Sequence, residues 1–165
     1  MNKIAAENVA EIEKRYRLTA IIVLTQILTT IVLIVVGWFY AASSENAASP
    51  DSLLALWIAV IFIAVGTFFL RRMLNRWERL KNIALTKGIS GVLAALQTNS
   101  LIIGALAEVI AVIGFLIAVL GGVKFDVFRA GAVALLVFLI NFPRKTVWKK
   151  IVINLENVQE VFNEK

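Results

Sequence analysis

The stretch from Leu101 to Leu120, LIIGALAEVIAVIGFLIAVL, holds a single charged residue, Glu108. A carboxylate in an apolar run of membrane length costs about 3 kcal/mol on insertion scales, so it calls for partners or a use. An acid in such surroundings is cheaper uncharged than ionised. The chemistry open to it is therefore to take and release a proton, or to hold a small cation. The chain has no cysteine and no histidine, which excludes disulfides, thiolate chemistry and the usual zinc and haem ligands. A metal could only be a hard cation on oxygen atoms. No nucleophile with a base beside it and no phosphate loop accompany Glu108, so neither an enzyme nor a cofactor is expected.

Partners for the acid must come from neighbouring apolar stretches. Counted at about 1.5 Å per residue, Glu108 lies about 13 Å from the nearer end of its run, and Gln26 lies at a similar level on the first apolar stretch. Thr25 and Thr29 flank Gln26, while Thr67 and Asn141 fall roughly a turn and a half nearer the end. The candidate ion-binding set is thus Glu108, Gln26, Thr29, Thr67 and Asn141, a polar layer in which amide and hydroxyl groups would satisfy the acid. The same layer could instead serve only to fix helix register. Around Glu108, the residues Gly104, Ala107, Ala111, Gly114 and Ala118 share one helical face. Small side chains at three and four spacing let membrane helices approach closely. Ala130 and Ala134 give the fourth apolar stretch a matching face, on which Asn141 also falls. Arg129 lies near the opposite interface, about 15 Å from Glu108 along the axis, and is read as a snorkelling anchor.

The run IIGALAEVIAVIGFLIAVL resembles the second helix of the proteolipid c subunit of rotary ATP synthases. In that family a carboxylate set among small residues binds the translocated proton or sodium ion. The resemblance implies an ion-carrying role for Glu108, with Ala105, Ala111 and Gly114 as its small neighbours. It covers only Leu101 to Leu120. The second apolar stretch offers only Gly66 where c subunits carry a glycine repeat.

Composition fixes the setting. Of 165 residues, 60% are hydrophobic and 17% charged, outside the balance of soluble globular domains. The expected fold is an all-α integral membrane protein, one four-span domain over residues 1–165. Its spans cover about 18–42, 52–70, 100–121 and 127–142, and its polar segments 1–17, 71–99 and 143–165. Residues 18–42 carry no charge and are long enough to cross a hydrocarbon core of about 30 Å. The segment before them holds three glutamates, unlike the short basic region of a signal peptide, so the first span is expected to stay in the protein. Trp38 and Tyr40 fit an aromatic belt. The second helix is expected to run past Arg71 and Arg72 to about Thr86. Lys87, Gly88 and Gly91 then break the pattern before a helix that continues into the third span. The fourth span is short, and the VKFD turn or the Arg129 stem must help complete it.

Lysine and arginine decide the orientation. Four precede the first span, six lie between spans two and three and five follow span four, against only Lys124 and Arg129 on the other side. By the positive-inside rule both termini and the long hairpin loop are cytoplasmic, as in a bacterial-type inner membrane. The net charge of +6 is therefore a topology signal and not a nucleic-acid footprint, although so basic a face would attract anionic lipid or an acidic partner.

Both ends of the chain read as amphipathic helices. Ala5, Val9, Ile12 and Tyr16 form a stripe near the start, with Glu11–Arg15 and Glu13–Arg17 as i,i+4 pairs. Trp148, Ile151, Leu155, Val158 and Phe162 form a seam near the end. That seam is the expected docking surface for a protein partner or a second copy of the chain. The functional expectation is a non-enzymatic accessory or scaffold subunit of a membrane complex, docking partners through its basic cytoplasmic face. The alternative is a proton- or cation-handling membrane protein working through Glu108.

Overall fold

A computed structural model describes residues 6–41, 49–121 and 123–163, with side chains from residue 7 to 157. Among these residues the chain forms five helices: α1 (Ala6–Ala41), α2 (Pro50–Leu74), α3 (Trp77–Gly121), α4 (Lys124–Asn141) and α5 (Lys145–Asn163). The first four include stretches long and apolar enough to cross a membrane. α3 is the centre of the bundle and packs on all four other helices, α1 and α4 most extensively. α2 rests on α3, with a smaller contact to α4 and none to α1 among the described residues.

The close packing comes from small residues, as their spacing predicts. Ala107, Ala111, Gly114 and Ala118 of α3 are buried, and so are Ala130 and Ala134 of α4. A methyl group added at Gly114 would collide with the Cβ of Ala130. α1 enters through two more such points, since Ile34 lies over Gly131 and the Val127 side chain over Gly37. Large apolar side chains point outward instead, among them Leu28, Phe62 and Leu139. For a bundle of membrane-length apolar helices this is the expected arrangement, because lipid tails solvate Leu and Phe as well as a core does.

α1 runs unbroken through both the amphipathic segment and the first span, so no separate helix precedes the span. Nothing between Arg15 and Thr19 caps or breaks it, and the hydroxyl of Thr19 bonds back to the carbonyl of Arg15 within the helix. α4 begins at Lys124, earlier than its apolar run, and its 18 residues reach about 27 Å. The VKFD segment thus lengthens the helix beyond its apolar run. At that end Trp38 stacks edge-on against Phe128 at 4.9 Å, and Lys124 lies over its ring at 5.5 Å.

The second helix departs from expectation by ending at Leu74 instead of running on to Thr86. The stop is made from across the bundle. Asn99 of α3 donates to the carbonyl of Leu74 at 3.2 Å and to Oδ1 of Asn75 at 3.1 Å, which satisfies a carbonyl left free by the end of the helix. The predicted break at Lys87–Gly88 is found as a kink within α3, where Gly88 has φ 68° and ψ −173°, a conformation open to glycine. The helix then continues straight through the apolar run.

Beyond the apolar bundle, α1, α3 and α5 build a second core. Ile12, Leu80, Leu93, Trp148, Val152 and Leu155 are buried together, with Tyr16 and Ile151 packed against them. The first part of the terminal seam expected to dock a partner, Trp148 to Leu155, therefore packs within the chain. Trp148 and Leu155 are covered by the protein itself, and Ile151 is half-buried. The physical reason is proximity: α5 follows α4 after three residues and meets the apolar stripes of α1 and α3 on the same side of the bundle. Val158 and Phe162 lie outside the described side chains, as does Ala5. Val9 is exposed. The terminal helices and the α2–α3 turn gather at one end, which holds thirteen of the fifteen lysines and arginines among the described residues.

Polar contacts tie this basic end. Arg15 pairs with Glu11 at 2.8 Å as predicted, whereas Glu13 pairs with Lys145 of α5 instead of Arg17. Ser90 donates to Glu11 at 2.7 Å. That bond holds the Glu11 carboxyl below the usual range, opposed by partial burial and helped by Arg15. Lys145 does the same for Glu13.

Two tests follow from the packing and the charges. Gly114→Leu should lower thermal stability in mild detergent by an amount corresponding to about 1–3 kcal/mol, through overpacking against Ala130. Gly66→Leu, where an added Cβ meets nothing within 4 Å, should leave it unchanged or slightly higher. Because Glu11 and Glu13 have lowered values in the fold, their stabilisation is present above the ordinary carboxylate value of 4.5 and is lost as the pH falls below it. Fluorescence of Trp148 in a single-tryptophan variant should report loosening of the basic end over that window, and Glu11→Gln with Glu13→Gln should flatten the response.

Candidate functional site: the level of Glu108

α1 and α3 both start at the basic end, so they run parallel, and their contacts advance in step. Glu11 meets Ser90, Gln26 lies against Gly104 and Gly37 against Phe115. Four residues on from Gln26 is Thr30, and four on from Gly104 is Glu108. One helical turn therefore places Gln26, Thr30 and Glu108 at neighbouring levels of the same α1–α3 contact.

Gly104 makes this contact possible. Its missing side chain leaves the space that the Gln26 carboxamide fills, and a Cβ there would strike Gln26 Oε1. Glu108 stands one turn farther along the same side of α3 and is half-buried. Helical angles of about 100° per residue put it at the rim of the α1 contact, on the side away from α4. Thr30, fully buried, is turned from Gln26 toward α4.

The polar groups at this level are unmatched. Gln26 Oε1 and Thr30 Oγ1 are buried and have no hydrogen-bond partner among the described residues, and Glu108 has no hydrogen bond or ion pair among them. Native proteins pair the great majority of their buried polar atoms, so orphans adjacent to an intramembrane-type acid require explanation. An amide oxygen and a carboxylate are both acceptors. A bridging water, a proton carried on the acid or a small cation between the oxygens can each satisfy both at once.

The other sequence candidates lie elsewhere. Thr29 is exposed and its hydroxyl bonds back to Thr25 at 3.1 Å. Thr67 is buried and bonds to the carbonyl of Ile63 at 2.7 Å. Asn141 donates to Val137 at 2.6 Å and lines a cleft with Ser100 and Ile103 at the basic end. Ser100 precedes Glu108 by about two turns, or about 12 Å, so Asn141 is separate from the acid's level. The expected single layer thus divides: Gln26 stays with Glu108, Thr67 and Asn141 do not, and no bond joins Glu108 to Gln26 or to a threonine.

Thr30 is the group that sequence reasoning missed. Its signal was present, since it follows Gln26 by one turn and so shares its face. Thr29, which flanks Gln26 at a similar depth, lies on the outward side of α1 instead. Comparison with protein families, curated proteins and solved structures finds no match to this chain.

Since the Thr30 hydroxyl makes no bond in the fold, Thr30→Val should leave thermal stability unchanged or raise it, within about 1 kcal/mol. Thr67→Val, which removes a formed bond, should do the reverse. Unfolding of both variants in mild detergent, compared side by side, checks the sign.

Proposed function

We propose that this protein is a non-catalytic integral membrane protein that takes up a proton or a small cation at Glu108, with Gln26 Oε1 as the second oxygen. One observation carries the reading: a buried, unpartnered amide oxygen lies one turn from an unpaired acid inside a membrane-length helix. Protonated, Glu108 becomes a donor that the Gln26 oxygen can accept from. Ionised, it needs a cation, which the Gln26 oxygen can help to coordinate. The resemblance of Leu101–Leu120 to the c-subunit helix supports the same use of Glu108.

By the positive-inside rule, the basic end with its α5 core faces the cytoplasm of a bacterial-type inner membrane, and Lys124 and Arg129 face the other side. Glu108 then sits within the hydrocarbon layer, at the rim of the α1–α3 groove. From that position a side-chain rotation is enough to carry the group between a protein-facing and an outward-facing setting.

A second reading keeps the protein as an accessory subunit of a membrane complex. It is favoured by α2, which presents Phe62, Phe68 and Phe69 outward along most of its length and rests mainly on α3. Its docking surface would be that apolar face, or the basic end as a whole, because Trp148 and Leu155 of the α5 seam are already covered.

Glu108→Gln separates the two, since it keeps shape and hydrogen bonding but cannot ionise. In reconstituted vesicles the carbonyl absorption of the protonated acid should be present in the wild type, respond to pH or to sodium, and vanish in the variant. A cation or proton flux through the wild-type vesicles should fall to background with Glu108→Gln. Unchanged flux and an unresponsive carboxyl band, with normal co-purification of a partner, would leave only the accessory reading standing.

A further inference from the structure

At the basic end, α2, α3, α4 and α5 enclose an open cleft of about 660 Å³. Three arginines line it: Arg71 and Arg72 from the end of α2, and Arg144 from the turn between α4 and α5. Among the described residues none of the three is in an ion pair, and no acidic residue lines the cleft. Three like charges converge here without compensation. Arg71 is held in place by a 2.7 Å bond to the carbonyl of Ile140, at the end of α4, while Arg72 and Arg144 are exposed. Arg144 also stands at the N-terminal end of α5, where the helix dipole adds to the positive field.

The rest of the cleft is of the opposite character. Phe68 and Ile140, 58% and 50% exposed, lie on its edge and continue into the outward apolar faces of α2 and α4. A ligand that fits must be anionic at one end and apolar at the other, with the anionic end at the boundary where two spans finish. We infer that the cleft is a binding site for an anionic phospholipid, the phosphodiester headgroup on Arg71, Arg72 and Arg144 and the acyl chains along Phe68 and Ile140. Arginine suits this role because its planar fork can bond two phosphate oxygens at once. Basic pockets between membrane helices are where such headgroups are recognised. The inference rests on the four helices spanning a membrane, and is independent of what Glu108 does.

Native mass spectrometry of the full chain in detergent tests it, with phosphatidylglycerol, phosphatidylcholine and inorganic phosphate as probes. Phosphatidylglycerol should be retained in preference to phosphatidylcholine, and millimolar inorganic phosphate should not displace it. The double variant Arg72→Gln/Arg144→Gln, both exposed positions, should lose about tenfold in affinity for phosphatidylglycerol. Arg72→Lys/Arg144→Lys should recover only part of it, because the point charge returns without the fork. Equal binding of the two lipids by the wild type would overturn the inference, whatever the variants do. So would an unchanged affinity in the Gln double variant, or displacement by free phosphate, which would make the cleft a site for the bare anion.

Discussion

Between lipid-solvated helices there is no hydrophobic force to press one against the next, and close contact must come from shape. In this chain the shape is supplied by one face of α3, where glycine and alanine recur over about four turns. Because that face is narrow and smooth, α1 and α4 can both settle on it, and Gly114 brings the α4 backbone as near as Ala130 allows. The other features of the bundle depend on this approach. It sets the parallel step between α1 and α3, brings Gln26 over Gly104, and leaves α2 outside with α3 as its main support.

The spans were legible because their signal is crude: a long run without charge has few alternatives in water or in lipid. The small-residue stripes were legible for a related reason, since Gly and Ala at three and four spacing have a direct steric meaning. What could not be read was anything that depends on two helices at once. The end of α2 is made by Asn99, 25 residues farther on, and no glycine or proline marks it locally. The choice of Lys145 over Arg17 as the partner of Glu13 needs α5 beside α1. The terminal seam has the same apolar pattern whether it meets a foreign helix or the chain's own, and periodicity carries no information about which.

The candidate site shows the same division at finer grain. Depth alone, counted along each helix, grouped five polar residues into one layer. Facing separates them again: threonines such as Thr25, Thr29 and Thr67 bond to the carbonyl four residues back and are complete within their own helices. Threonine in an apolar helix has this local escape, whereas glutamine and glutamate are too long to use it and must find partners elsewhere. Gln26 and Glu108 were therefore the informative pair from the start, and Thr30 joins them because its hydroxyl is without a bond to the helix behind it.

Gly104 carries two roles that pull in one direction. A glycine inside a helix costs about 1 kcal/mol relative to alanine, and at Ala107, Ala111 and Ala118 of the same α3 face alanine suffices for close packing. At 104 the methyl of an alanine would meet Gln26 Oε1, so the carboxamide would have to swing out of the space it now fills. The space is thus shaped to admit a carboxamide that finds no hydrogen bond there. Packing alone would be served better by an alanine at 104 and an apolar residue at 26, which would remove both the helix penalty and the orphan oxygen. That the Gln26 oxygen finds no hydrogen bond among the described residues, one turn from the only acid in the apolar run, is the physical ground for proposing a site at the level of Glu108.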